Sequence, residues 1–418
     1  MQKSHTKVMP ATAPVTKTVE TQAVRIAALA QAMVSSLEAP QQIQDELDGL
    51  VSECLDAGQE AALEDAVALA GNVAPDTSPA QTALQTRIAR ACESLAPGLL
   101  NDGKALRGTL VSVPVLLRGG LFRLYRDIED KARFAQFVEN LQDSGIFQPG
   151  ASLSIVPYLY HPEELADLPW CERRSLLKTI FNERNALDAV PPDLLLKRRV
   201  DATGLTEDEA SDGGLCLRYL VGVLAENVSE EEAELPPPSF LENSDAFREV
   251  AKTGIVHFAA ALGLPEQNKP YGLGKPTAFL RGYLAGMVLF KTASFKLELA
   301  SALSSTSEKP AQLQALVVPC RAENGDLTLR VSLASSEDSS LVAGCGYPVS
   351  EFEEASDVVQ RIGATMHAAG ITRAQLVEEE QLDLTCESCG SAAYYIAARD
   401  GGSELEVEHV HRAPRIVH

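Results

Sequence analysis

Between about Val24 and Leu95 apolar residues recur every three to four positions, and from about Gly108 onward that rhythm gives way to short apolar runs alternating with helical stretches. This change of period constrains the fold most. The first hundred residues predict a helical unit, and the remainder of the chain predicts strands layered with helices. Breaks at Pro40, Gly58 and Gly71 to Pro79 divide the first stretch into about four short helices. Cys54 and Cys92 sit within it beside Leu55 and Leu95, where an isolated cysteine reads as a small buried hydrophobe.

Further along, Leu110 to Leu117 reads as a short strand, with Pro114 demoting it toward a sheet edge or a bulge. Ile128 to Leu141 predicts a helix with Phe134, Phe137, Val138 and Leu141 on one stripe. Leu153 to Tyr158 returns to strand character and Pro162 to Leu165 opens another helix, so the middle of the chain predicts a mixed α/β sheet. Tyr219 to Leu224 repeats the strand pattern, and the acidic, proline-rich run Ser229 to Pro238 reads as a surface linker. Helices are expected from Asp245 to Leu262 and from Thr277 to about Leu303.

The C-terminal hundred residues are the most explicit. Ala315 to Arg321 and Leu327 to Leu333 predict a hairpin around Asn324-Gly325, since a tight turn needs the positive φ that Asn and Gly adopt at least cost. Ser350 and Glu353 form a capping box before a helix whose expected stripe is Phe352, Ala355, Val359, Ile362 and Met366, closed by Gly370. Then comes a pattern that reads as chemistry rather than packing: Cys386 and Cys389, nineteen residues, His409 and His411. Zinc takes four tetrahedral ligands from cysteine sulfur and histidine nitrogen, and a two-residue gap lets both thiolates of a tight turn face one centre.

The segment between the two halves strengthens that reading. Ala392 to Ala398 and Leu405 to His411 have strand character, with a turn at Asp400-Gly401-Gly402. Period two then places Leu405, Val407, His409 and His411 on one face, and Glu404, Glu406 and Glu408 on the other. Four ligands would close the shell and make the site structural, whereas a free His411 would open a position for water. Against the metal stand plain thiols with solvated histidines, and a redox Cys-Xaa-Xaa-Cys, which lacks the flanking strand and helix of that motif.

Composition narrows the partners. The chain has 36 basic and 58 acidic side chains, a net charge of −22, which repels nucleic acid and acidic membranes. Its longest basic run, Lys197-Arg198-Arg199, reads as a solvated element end. The apolar stretch Leu284 to Phe290 stops at Lys291, well short of the ~20 residues a spanning helix needs. Eight cysteines, mostly far apart, and an N-terminus without an apolar core segment point to a reducing, cytoplasmic setting.

Other signals are weaker. Gly272-Leu273-Gly274-Lys275-Pro276-Thr277 lacks the upstream glycine and the Ser/Thr of a phosphate loop, and reads as a loop leading to a helix start at Pro276. Gly344-Cys345-Gly346 places a thiol in what looks like a flexible turn, a conceivable nucleophile without a nameable base. His161, His257 and His367 are isolated, and His257 reads as a core or interface residue.

These segments together resemble a bacterial family catalogued as domain of unknown function 2863. The similar pieces are the acidic helical N-terminus, Leu110 to Leu117, Ser152 to Leu165 with Tyr158-Leu159-Tyr160-His161-Pro162, Ala311 to Cys320, and Cys386-Glu387-Ser388-Cys389-Gly390. The resemblance implies a cytoplasmic bacterial protein and brings no known activity; this chain ends its hairpin in His409-Val410-His411, where one histidine is expected in relatives.

The sequence therefore predicts an α+β protein: a disordered tail over 1–20, an α-helical unit over 21–103, an α/β unit over 104–310 and a small α+β unit over 311–418 ending in a zinc-knuckle hairpin. The function expected is that of a zinc-stabilised interaction or scaffold protein with a protein partner, no nucleic acid and no membrane. The alternative is an enzyme with a pocket between the α/β units, using Cys345 or a three-ligand metal.

Overall fold

The computed structural model describes residues 15–35, 41–71, 78–99, 105–118, 128, 130–166, 168–185, 187, 214–228, 244–263, 271–386, 391–397 and 405–409. The fold is mixed α+β, with several sheets, and the chain divides into two compact units, 1–283 and 284–418. Among the described residues no helix is long and apolar enough to cross a membrane.

The first unit opens with helices α1 (Val15–Ser35), α2 (Gln41–Asp56), α3 (Glu60–Gly71) and α4 (Pro79–Glu93). Helix α1 starts inside the segment read as a tail; residues 1–14 lie outside the described part. The apolar stripes meet as predicted, with Ile26, Leu47, Val51, Leu63, Leu84 and Ile88 fully buried and the Cys54 and Cys92 side chains filling space among them. Pro79 sits in the first turn of α4, where its missing N–H has no helical partner to lose.

The sheet of this unit is built from β1 (Ser94–Leu99), β2 (Ala105–Arg118), β3 (Ser152–Ile155), β4 (Leu215–Val228), β5 (Gly272–Leu273) and β6 (Thr277–Ala278). Helices α5 (Lys131–Gln142), α6 (Pro162–Leu165), α7 (Trp170–Asn182) and α8 (Ser244–Ala261) lie between them in sequence. Strand order is β1-β2-β4-β3, with β5 and β6 also on β2, and each pairing is antiparallel. A strand-helix rhythm does not fix strand direction, and here β2 and β4 pair along all fourteen residues. One face carries Val111, Val113, Val115, Leu117, Leu220 and Leu224 against Phe134, Phe137 and Leu141 of α5 and Phe258 of α8, with the Phe137 and Phe258 rings 5.1 Å apart.

Pro114 corrects the sequence reading, because it sits inside this sheet rather than at its edge. The carbonyls of Pro114 and Leu116 accept the N–H groups of Gly274 and Tyr271, so the side of β2 on which Pro114 lacks a donor faces the break between β5 and β6. Its ring fits there because Gly274 has no Cβ; one would lie 2.3 Å from the proline Cγ. The sequence that resembled a degraded phosphate loop is thus a seat for Pro114, and the helix expected at Pro276 begins after β6, at Phe279.

The unit boundary falls within α9 (Phe279–Ser304). The second unit contains β7 (Leu313–Arg321), β8 (Leu327–Ser335), β9 (Leu341–Val349), α10 (Ala355–Ala368), β10 (Arg373–Leu376), β11 (Gln381–Leu382), β12 (Tyr394–Ala397) and β13 (Leu405–Glu408). Strands β7 and β8 form the predicted hairpin, with Gly325 at φ +93°. The sheet runs β10-β7-β8-β9, with β10 and β11 parallel to β7. One face packs on Phe295 and Leu299 of α9 and on Val358, Ile362 and Met366 of α10. Val358 rather than Phe352 or Ala355 continues that stripe. Phe352 precedes the helix, is 44% exposed, and lies over the Lys291 ammonium.

The opposite face of the sheet is covered by the C-terminal hairpin. Leu316, Val318 and Cys320 of β7 are buried beneath Tyr395, with Leu405 packed alongside. The Gly344-Cys345-Gly346 segment is part of strand β9, not a turn. Alternation sends Cys345 into the helix-covered core and turns both glycines to the other face, where a Cβ on Gly344 would lie 2.4 Å from the Tyr394 ring and one on Gly346 would lie 3.1 Å from the Arg330 guanidinium.

Candidate metal centre

The segment leading to Cys386 is pinned to the sheet before the cysteine is reached. Gln381 and Leu382 pair with Cys320 and Arg321, and the Asp383 N–H donates to the Arg321 carbonyl at 3.0 Å. The Asp383 carboxylate then accepts two bonds from Arg330 of β8, Nε to Oδ1 at 2.9 Å and Nη2 to Oδ2 at 3.1 Å. Both side chains are largely buried, so this bidentate pair fixes orientation as well as position. The Arg330 guanidinium also lies 6.0 Å from the Tyr394 ring centroid, and the Tyr395 hydroxyl donates to the Leu382 carbonyl at 2.7 Å.

A short ladder joins the residues on either side of 387–390. Thr385 bridges Ala392, the Ala393 N–H donates to the Leu384 carbonyl at 2.9 Å, and the Cys386 N–H donates to the Ser391 carbonyl at 2.8 Å. From there β12 pairs antiparallel with β13, in a register that sets Tyr394 opposite Glu408. His409 is the next residue, so the returning strand delivers it beside the start of the turn. Its Nε2 lies 3.5 Å from the Cys386 Sγ. A tetrahedral centre with ordinary zinc–sulfur and zinc–nitrogen bonds separates its sulfur and nitrogen by about 3.6 Å. The spacing is that of a thiol–imidazole hydrogen bond and equally that of one edge of such a tetrahedron.

Cys389 and His411 lie outside the described residues, and among the described residues no group of three or more metal-ligating side chains is present. The alternation expected for the second strand holds only in part as burial. Leu405 packs into the cluster under Tyr395, but Val407 is 49% exposed and Glu406 is exposed. The Glu408 carboxylate turns back to accept the Leu341 N–H at 3.4 Å. The hairpin is short and covers the sheet mainly through β12, which leaves β13 on its open side.

The remaining reactive groups have structural partners. Burial pushes the thiols of Cys92 and Cys345 up to about 12 and that of Cys320 up to about 11. It also raises Cys54 and Cys171, the latter helped by Glu60. Thiols held protonated in this way are poor nucleophiles. Lys291 donates to the Ser350 hydroxyl, but the same ammonium pairs with Glu353 at 3.3 Å. Glu353 also accepts from the Tyr347 hydroxyl, Arg361 and the Ser350 N–H, so a buried carboxylate with four donors holds this cluster together. His161 caps α6 in a reciprocal box with Glu164, His257 is half-buried on α8, and His367 is exposed.

Sequence reasoning named Cys386 and His409, which the structure brings together, but missed Arg330, Asp383 and the two tyrosines around them. The one available signal was the pair Gly344 and Gly346, two residues apart on a strand, which marks a place where large side chains cross the sheet. The chain matches no family model, no curated protein and no solved structure.

Proposed function

We propose that this chain is a cytoplasmic, zinc-stapled interaction or scaffold protein, in which Cys386, Cys389, His409 and His411 hold one structural zinc ion. The 3.5 Å approach of the Cys386 sulfur to the His409 nitrogen carries the reading, because it joins residues twenty-three apart at the separation a shared tetrahedral ion requires. Two thiolates and two imidazoles suit zinc better than the hard cations that prefer oxygen. The metal has a physical task here. Four-residue strands with an exposed outer member bury too little to be stable alone, and a closed zinc shell adds on the order of 10 kcal/mol in small modules.

An interaction role rests on the acidic surface implied by the net charge of −22. The enzyme reading through Cys345 is opposed by that residue's burial at 2% exposure and its raised thiol. The bacterial family that the sequence resembles brings no activity to set against this. Replacing the metal with cobalt(II) tests the site: two thiolate and two imidazole ligands give strong visible bands of tetrahedral cobalt with a sulfur charge-transfer band. Weak absorption of octahedral cobalt would reject the four-ligand shell.

A further inference from the structure

The two edges of the second unit's sheet are treated differently. Along β9 the outward backbone positions are guarded. Gly346 donates its N–H to the Glu298 carboxylate at 3.5 Å, Leu341 donates to Glu408, and Pro348, two residues beyond Gly346 on the same side, has no N–H. The β10 edge has no such cover among the described residues. All four of its residues are exposed, and among the described residues its only strand partner is β7.

The direction of the backbone follows from the ladder. The Val377 N–H donates to the Val317 carbonyl, so Arg373, Gln375 and Val377 face β7, and Ala374 and Leu376 turn their N–H and C=O groups outward. Leu376 and Leu382, 44% and 67% exposed, lie along this edge on one face of the sheet, opposite Val317 and Arg321. Between them runs Glu378-Glu379-Glu380. Glu380 is paired with Arg321 at 2.7 Å, while Glu378 and Glu379 are exposed and have no ion-pair partner among the described residues.

We propose that β10 is a docking edge that takes an extended, basic segment of a partner protein as an added strand. Its backbone pairs with Ala374 and Leu376, its apolar side chains cover Leu376 and Leu382, and its Lys or Arg side chains meet Glu378 and Glu379. Strand addition obtains affinity from main-chain bonds and specificity from alternate side chains. Charge selects the occupant: a second copy of this chain would bring another net charge of −22 to an edge already acidic, whereas a basic segment is attracted to it. The inference deepens the interaction role proposed above and names its surface.

The test uses the full chain, with zinc content measured on the same samples, and a fluorescent peptide of alternating Lys and Val read by anisotropy. Saturable binding that weakens with salt is expected, with little binding of an alternating Glu and Val peptide. Ala374→Pro deletes an outward N–H and leaves the inward ladder in place, and should weaken binding at least tenfold. The surface variant Glu378→Lys with Glu379→Lys should do the same without disturbing the fold. No binding to the zinc-loaded wild type, equal binding to both variants, or equal binding of the acidic peptide would overturn the docking edge. So would self-association abolished by Ala374→Pro, which would assign the edge to a second copy. Failure of these measurements on a zinc-loaded chain leaves the metal site standing, and a zinc-free chain that binds the peptide does the reverse.

Discussion

The β2–β4 ladder of the first unit and the β12–β13 hairpin of the second are both antiparallel pairs, yet they are stabilised by different means. The ladder runs for fourteen residues and has an apolar face closed by two helices. The hairpin pairs four residues, covers part of one sheet face and leaves Val407 half exposed. Length decides the difference. A long strand pair collects enough buried side chains to offset its ordering entropy, and a short one needs anchors from outside itself.

The largest effect should come from the ladder side. Phe137→Ala empties space between α5, α8 and the sheet and should cost about 3–5 kcal/mol in denaturant unfolding, with the metal content unchanged. Loss of metal as well would show that the two regions are coupled.

Asp383→Ala strikes the hairpin's anchor. It leaves the largely buried Arg330 without its carboxylate, and a loss of about 2–3 kcal/mol is expected, together with faster hydrogen exchange from Gln381 to Ala397. Unchanged exchange there would show that the bidentate pair does not hold the hairpin.

A smaller effect separates the regions by pH. Glu93, at the end of α4, is pushed up to about 7 by burial, although Arg173 and the Leu280 N–H pull it the other way. The folded state keeps a proton that the unfolded chain releases above its ordinary carboxyl value. This group therefore lowers stability as pH rises from about 4.5 to about 7, by on the order of 2 kcal/mol. Glu93→Gln should lack that decline, so the stability difference between wild type and variant should favour wild type more at pH 5 than at pH 8. A difference independent of pH would refute the raised carboxyl.

Legibility followed the range of the interactions. The four N-terminal helices could be read because period and breakers are local, as could the turn at Asn324-Gly325. Pro114 was misread because its place depends on Gly274, a hundred and sixty residues later, and Phe352 because it lies just outside the helix whose stripe it matched. Gly344-Cys345-Gly346 resembled a loop until the Tyr394 ring supplied the reason for Gly344 and the Arg330 side chain the neighbour of Gly346. At the site, spacing and strand parity singled out Cys386 and His409, and the structure brings their side chains within 3.5 Å of each other. Arg330 and Asp383, fifty-three residues apart, carry no local signature that would pair them.

The most direct measurement is elemental metal analysis of the full chain purified without added metal, beside Cys386→Ser and His409→Ala. A zinc-stapled hairpin predicts about one zinc per wild-type chain, loss of that zinc in both variants, and a lower melting temperature in each. A wild-type chain that contains no metal and melts at the same temperature as both variants would contradict it.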